Sequence, residues 1–482
     1  MKLTLSGHDK RYLIESLSLL FFPGVGFSET VEDRLEGHST YCAQTGLAEA
    51  TILAHENAAR GLSSSEEGEP PELAIARSYY HAGVSLTGAQ PPWGTLTGVR
   101  PAKKVHALLR EGKTPEQVAA ELERAYLLSP EKTALCVQTL EGEAAALARI
   151  DKEAVSLYIH IPFCPSRCSY CSFVSASVEQ EGAIIPSYVN ALEQELALTG
   201  RALTDHGIRV QNIYVGGGTP TVLSAEQLYR VLHTTLQGMD CSHVAEFTVE
   251  AGRPDTLDER KLDVMRACGV NRICVNTQTT DDDTLARVGR QHTAEQFFSA
   301  FSLARQCGFD RINVDLIAGL PQESAEVFHR SVREVSELHP ENLTIHTLAL
   351  KRTARLTAEE FRQDLAQAKD IAHMLLGAQQ RVLALGYRPY YLYRQRNTLG
   401  NLENVGYAFP GTEGLYNICT MGEHQSIVAV GAGGVSKVVG LPNGRIERVW
   451  NRLDAREYIA LEDQREEKRK ELFTLLRQWR EA

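Results

Sequence analysis

The chain has 482 residues, too many for one ordinary hydrophobic core and enough for two or three domains. Hydrophobic residues make up 43% of it, yet no run approaches the roughly 18 uninterrupted apolar residues of a membrane span, and charges break MKLTLSGHDKRYLIESLSLLFF from its start, so neither a span nor a signal peptide is supported. The net charge of −11 argues against nucleic acid as the main partner. A cytosolic location is expected, where clustered thiols serve metal binding or catalysis rather than a disulfide framework.

In chain order, residues 1–150 hold a Ser/Glu/Pro stretch, SSSEEGEPPE, expected to be a loop, and Pro92-Trp93-Gly94, a turn whose role is not legible. VSLYIHIPF from Val155 predicts a buried strand that Pro162 ends. Five further strand-like runs follow: VQNIYVGGG from Val210, EFTVEAG from Glu246, RICVNTQT from Arg272, RINVDLIAGLP from Arg311 and LTIHTLAL from Leu343. Helical patterns separate them, with capping-box spacing at Ser224/Gln227 and Thr256/Glu259. Six strand–helix units predict parallel strands in an incomplete α/β barrel, whose chemistry gathers at the strands' carboxyl ends. Residues 357–386 predict a long helix, YRPYYLYRQRN follows, and DQREEKRKELFTLLRQWREA predicts a solvated amphipathic helix.

The first strand runs into CPSRCSYC, which places Cys164, Cys168 and Cys171 in one short loop. The other seven cysteines (Cys42, Cys136, Cys241, Cys268, Cys274, Cys307, Cys419) stand singly, as small buried hydrophobes do. A zinc site would call for a fourth ligand from a second pair, and a disulfide would leave one thiol over. Three thiolates suit an iron–sulfur cluster that keeps one iron open to an exogenous ligand. The polar groups expected on the same rim imply a polar cosubstrate there: GGGTPT from Gly216, then Glu250 to Arg253, Gln278 and Asp315. His160, His292, His346 and His424 are candidates for polar work, although a lone histidine is more often structural.

CPSRCSYC with GGGTPT resembles the radical S-adenosylmethionine superfamily. HIPFCPSRCSYC, VGGGTPT, VNTQTTDDDTLARVGRQHT and NVDLIAGLP together resemble its oxygen-independent coproporphyrinogen III oxidase group. PPWGTLTGVRPAKK and YYLYRQRNTLGNLENVGYAFPG are similar to the HemZ branch, of coproporphyrinogen dehydrogenase type. The resemblance implies a partial (β/α)6 barrel over 151–352, an N-terminal α+β extension over 1–150 and a mixed, mainly helical, substrate-covering region over 353–482. It implies that Cys164, Cys168 and Cys171 hold a [4Fe–4S] cluster. Tyr158, Tyr170, Gly217, Gly218, Thr219 and Glu250 match contacts to S-adenosylmethionine, and Gln278, Arg290 and Asp315 match a second site for that molecule. An electron donor is the implied partner. The implied reaction of haem biosynthesis cleaves S-adenosylmethionine to a radical that removes hydrogen from propionate side chains, and loss of CO₂ turns coproporphyrinogen III into protoporphyrinogen IX.

One departure matters. Phe173 stands where the characterised oxidase has a further cysteine, and phenylalanine there resembles the related haem-chaperone branch, which makes a haem carrier the alternative. That branch also has a His-Asn pair before aromatics, where this chain has Arg396-Asn397. A substrate with four carboxylates calls for local cations, and the candidates are Arg253, Lys351, Arg352, Arg394 and Arg396.

Overall fold

The computed structural model describes residues 1–29, 35–98, 100–171, 175–349, 365–395, 398–442 and 444–481. The chain divides into two compact units: Met1–Leu140 with Ala358–Leu376 and Leu392–Asn404, and Glu141–Thr357 with Gly377–Tyr391 and Val405–Ala482.

The first unit is built on strands β1 (Lys2–Ser6), β2 (Leu35–Cys42), β3 (Leu47–Ala54) and β4 (Asn57–Ser64), in that order, with β1 parallel to β2 and the rest an antiparallel meander. Ala48, Ala50 and Ile52 alternate along β3 with more exposed residues, and the buried face packs on helices Arg11–Phe21 and Pro71–Thr87 through Leu17, Phe21, Ile75 and Tyr79. SSSEEGEPPE is a loop only in its middle, because its first two serines close β4 and Pro71 opens the helix at a position where a missing N–H costs nothing.

The second unit carries the six expected strands: β5 (Ala154–Ile161), then, past the short pair β6 (Phe163–Cys164) and β7 (Ala176–Ser177), β8 (Arg209–Gly217), β9 (Glu246–Glu250), β10 (Arg272–Cys274), β11 (Ile312–Ala318) and β12 (Asn342–Thr347). They lie side by side in chain order and parallel. Such strands are covered on both faces, which is why β5 and β11 read as near-continuous apolar runs.

The chain beyond residue 384 extends this sheet at both ends. β13 (Arg388–Arg394) and β14 (Glu403–Ala408) continue it past β12, with β14 antiparallel to its neighbour. On the far side β15 (Ser426–Val430) lies parallel to β5, followed by antiparallel β16 (Val435–Val438) and β17 (Glu447–Trp450). The arrangement is an α/β fold on one eleven-stranded sheet, its six parallel strands widened by these five.

Helix starts follow capping chemistry. Ser224 forms the expected box with Gln227, whereas Asp258, not Thr256, caps the helix Glu259–Ala267 by accepting the Lys261 N–H. The Thr256 hydroxyl is already committed, donating to the Arg253 carbonyl (2.8 Å) and meeting Thr221 Oγ1 (2.6 Å). Of the helix expected over 357–386, Leu365–Ala384 is helical and 357–364 fall outside the described residues. The terminal helix Glu462–Arg480 buries Leu472, Phe473 and Leu476, with Arg465 the one charged residue buried beside them among those described. No helix among the described residues is long and apolar enough to cross a membrane.

Candidate functional site

β5 delivers the cysteine loop to the carboxyl edge of the sheet. Phe163–Cys164 pairs with Ala176–Ser177, and the Ala176 N–H donates to the Pro162 carbonyl (2.8 Å), closing the loop at its base. Within it the Cys171 N–H donates to the Cys168 carbonyl (3.1 Å) and Ser169 N–H to Val288 (2.9 Å). None of the three is in a disulfide, and Cys168 is buried. Burial pushes the Cys164 thiol up, against the Thr219 hydroxyl, whose Oγ1 lies 3.6 Å from its sulfur.

The glycine run ending β8 allows close packing beside this loop. Gly217 has φ +112°, and a Cβ on Gly218 would sit 2.4 Å from the Phe163 carbonyl oxygen. The N–H groups of Gly218 and Thr219 donate instead to the Ile161 and Phe163 carbonyls (both 2.7 Å). A Cβ on Gly216 would meet the Glu250 carboxyl group at 3.0 Å. Residues three and four of GGGTPT therefore bind the backbone at the base of the loop, and the first leaves room for Glu250.

Glu250, at the end of β9, accepts from the Tyr214 hydroxyl (2.6 Å). Burial and the nearby Asp315 charge raise its pKa to about 7, against the Tyr214 and Gly217 hydrogen bonds. Tyr158 lies 6.2 Å from the Tyr214 ring and 6.3 Å from that of Tyr416, and Tyr214 stacks on Tyr416 at 4.4 Å. Tyr214 and Tyr416, which sequence reasoning missed, thus give Tyr158 an aromatic floor. Only the alternation of β8, placing Tyr214 two residues before Gly216, could have suggested the first.

The expected second-site residues are also brought to this edge. Arg290 is buried and donates to Tyr170 Oη (3.1 Å) and to the carbonyls of Gly252 (2.9 Å) and Asn276 (2.6 Å). Asp315 accepts from Asn276 (2.9 Å) and Asn313 (2.8 Å) and faces His346 at 3.7 Å. Burial would raise the Asp315 pKa, but the His346 interaction and the amides hold it below the usual range. Gln278, held at φ +74°, joins the sheet opposite Leu316. His292 is buried with neither ring nitrogen partnered among the described residues, and burial with the Arg290 and Arg253 charges lowers its pKa to about 3. His160 is buried too, its Nδ1 against the Ala432 carbonyl.

The substrate cations fare differently. Arg253 pairs bidentately with Asp255 (2.9 Å, twice) and donates to Ser166 of the cysteine loop (3.1 Å). Arg394 is buried in the first unit, its donors taken by the Leu96 and Gly98 carbonyls and its guanidinium 5.1 Å from the Trp93 ring centroid. Burial lowers its pKa to about 10, against the Glu403 charge. The donors of the two arginines are thus engaged by a carboxylate, a loop hydroxyl and backbone carbonyls. Lys351, Arg352 and Arg396 lie outside the described residues, as does Phe173.

The donor set fits an iron–sulfur cluster and a polar cosubstrate. One tetrahedral ion would gather three sulfurs within ~4 Å of one another. Three thiols carried by one loop instead suit a cluster that leaves one iron open to a further ligand. Arg290 Nε and Gln278 Oε1 are buried without partners among the described residues, the polar atoms that a polar ligand would satisfy.

Residues 158–335 match the Radical SAM superfamily. The oxygen-independent coproporphyrinogen-III oxidase-like protein HemZ of Bacillus subtilis is 40% identical over 388 residues, 80% of this chain and 77% of that protein. The heme chaperone HemW of the same organism is 36% identical over 41% of this chain and 51% of its own. Among solved structures, the coproporphyrinogen III oxidase HemN of Escherichia coli, a radical SAM enzyme, superposes with a TM-score of 0.53 at 24% identity, over 66% of this chain and 71% of that one, and supports the fold.

Proposed function

The chain belongs to the radical S-adenosylmethionine superfamily, in its HemN-like group, and from that membership we propose that it converts coproporphyrinogen III to protoporphyrinogen IX without oxygen, in the cytoplasm. The family uses a [4Fe–4S] cluster and S-adenosylmethionine, which when bound supply the one-electron chemistry that removes hydrogen from an unactivated carbon. The observation that carries the substrate is the similarity to HemZ, which runs through 80% of the chain and so beyond the barrel.

Cys164, Cys168 and Cys171 would hold the cluster, with the loop braced by Arg253 and Arg290. Glu250, poised near neutrality, would accept a hydroxyl or ammonium group of the cosubstrate, and Tyr158 on its tyrosine floor would bound the same pocket. Gln278, Arg290 and Asp315 would position a second polar molecule through the atoms left unpartnered on Gln278 and Arg290. Lys351, Arg352 and Arg396 remain the candidates for the propionates.

The alternative, a haem carrier, is supported by Phe173 and by the similarity to HemW. The two readings separate in one anaerobic assay with cluster-loaded protein, S-adenosylmethionine, a reductant and coproporphyrinogen III. Release of CO₂ is expected from the enzyme. Stoichiometric haem binding without CO₂ would replace the oxidase reading with the carrier.

A further inference from the structure

The run GGGTPT carries two hydroxyls beside the cysteine loop and uses them differently. Thr221 is fully buried, and its hydroxyl meets that of Thr256 (2.6 Å), which itself donates to the Arg253 carbonyl (2.8 Å). That hydroxyl is engaged in holding two rim turns together. Thr219 is 3% exposed and turns its hydroxyl to the cysteine loop, donating to the Cys164 sulfur at 3.6 Å.

The sequence fixes this direction locally. Pro220 keeps the residue before it extended, and Thr219 has φ −142° and ψ 94°. Its β-branch restricts rotation about χ1. The Thr219 N–H donates to the Phe163 carbonyl (2.7 Å), and its own carbonyl accepts from the Val222 N–H (3.0 Å), so the backbone on both sides is held. At the end of the run Lys261 Nζ donates to the carbonyls of Thr221 and Thr256 (both 2.7 Å). The hydroxyl is therefore aimed at the sulfur before any ligand arrives, and almost none of it is open to water.

Resting on the assignment of the cluster to Cys164, Cys168 and Cys171, we propose that Thr219 is a positioning residue that sets the cluster's reduction potential through the Cys164 sulfur, its hydroxyl serving that sulfur rather than S-adenosylmethionine. Hydrogen bonds to the sulfurs are among the levers on such a potential. An added electron makes the sulfurs more negative, and a donor aimed at one of them binds it more strongly after reduction than before. Thr219 thus raises the potential and eases the electron's entry. Its proton stays on oxygen and no bond breaks; the electron comes from a low-potential one-electron reductant.

The test is an anaerobic potentiometric titration of the full-length, iron-loaded protein without S-adenosylmethionine, with the reduced cluster followed by electron paramagnetic resonance. Thr219→Val keeps the shape and removes the donor. At a fixed ambient potential its ratio of reduced to oxidised cluster should fall about tenfold, which for one electron is about 59 mV toward lower potential. Thr219→Ala makes the same deletion in a smaller shape and should shift the same way, so the outcome does not hang on how well valine is tolerated. Thr219→Ser restores the hydroxyl without the branch that orients it, and should recover part of the shift. Thr221→Val removes a hydroxyl engaged by Thr256 and should keep the parent's potential. Parent-like potentials in Thr219→Val and Thr219→Ala overturn the proposal, and so does an equal shift in Thr221→Val. Weaker S-adenosylmethionine binding in calorimetry at an unchanged potential also overturns it and gives the hydroxyl to the cosubstrate. A parent that takes up no iron, measured before the titration, overturns the cluster assignment and the proposal with it, and the iron measurement tells that failure from the others.

Discussion

Glu250 has a charge that depends on what binds beside it. Its folded pKa, about 7, exceeds the ordinary 4.5, so the folded protein holds the proton through a range where the unfolded chain releases it. Stability from this residue is therefore present on the acid side and lost as pH rises from 4.5 through about 7. In the ligand-free protein, Glu250→Gln should raise the melting temperature at pH 8 relative to the parent and leave it little changed at pH 4.5. Binding runs the other way. A cosubstrate that needs the carboxylate should bind the parent more tightly as pH passes 7, and calorimetry should find Glu250→Gln weaker and flat across that range. A variant that binds like the parent would remove Glu250 from the site. Cys168→Ser tests the neighbouring assignment: the parent should take up about four irons on anaerobic reconstitution and the variant should lose them. Zinc in their place, or full iron in the variant, would sink the cluster.

The strands were legible because parallel strands buried on both faces must be apolar along their length, and all six expected runs are strands beginning within two residues of the expected starts. The cysteine loop and the glycine run were legible for a related reason, since each carries its chemistry in a few consecutive residues. What holds these pieces together was not. Arg253 reaches Ser166, Arg290 reaches Tyr170, and Asn276 both donates to Asp315 and accepts from its N–H (3.0 Å). Each contact joins different strands' ends, and a sequence does not display such pairs. Arg253 and Arg290 act as braces on the loop, which makes their loss a mechanical matter. Arg253→Ala strips Asp255 of its bidentate partner and should cost about 3 kcal/mol, read from the denaturant midpoint. The loaded variant should surrender iron to a chelator faster than the parent, and Arg253→Lys, keeping charge without the fork, should fall between them. Iron held as firmly by Arg253→Ala as by the parent would deny the brace.

At the scale of the whole molecule the chain does not keep its units in sequence order. The first unit takes in Leu392–Asn404 far downstream, and no composition shift marks that return. Its consequence shows in Arg394. Following the sixth strand in sequence, this residue is expected over the rim, yet it lies in the first unit, where Lys132, Glu403 and Trp93 form a buried polar cluster; the Trp93 indole donates to Glu403 (2.7 Å), which also pairs with Lys132. Pro92-Trp93-Gly94, silent as a sequence, thus supplies a ring beneath a guanidinium that binds the Leu96 and Gly98 carbonyls. Arg394→Ala would leave those carbonyls without their charged donor, at roughly 1.5–3 kcal/mol for such a contact. The loss belongs to the first unit, so urea unfolding followed through Trp93 fluorescence, with Trp450 and Trp479 replaced by phenylalanine, should shift to lower denaturant. Iron content and porphyrinogen binding should match the parent. An unshifted transition together with weakened porphyrinogen binding would return Arg394 to the substrate and undo the structural role.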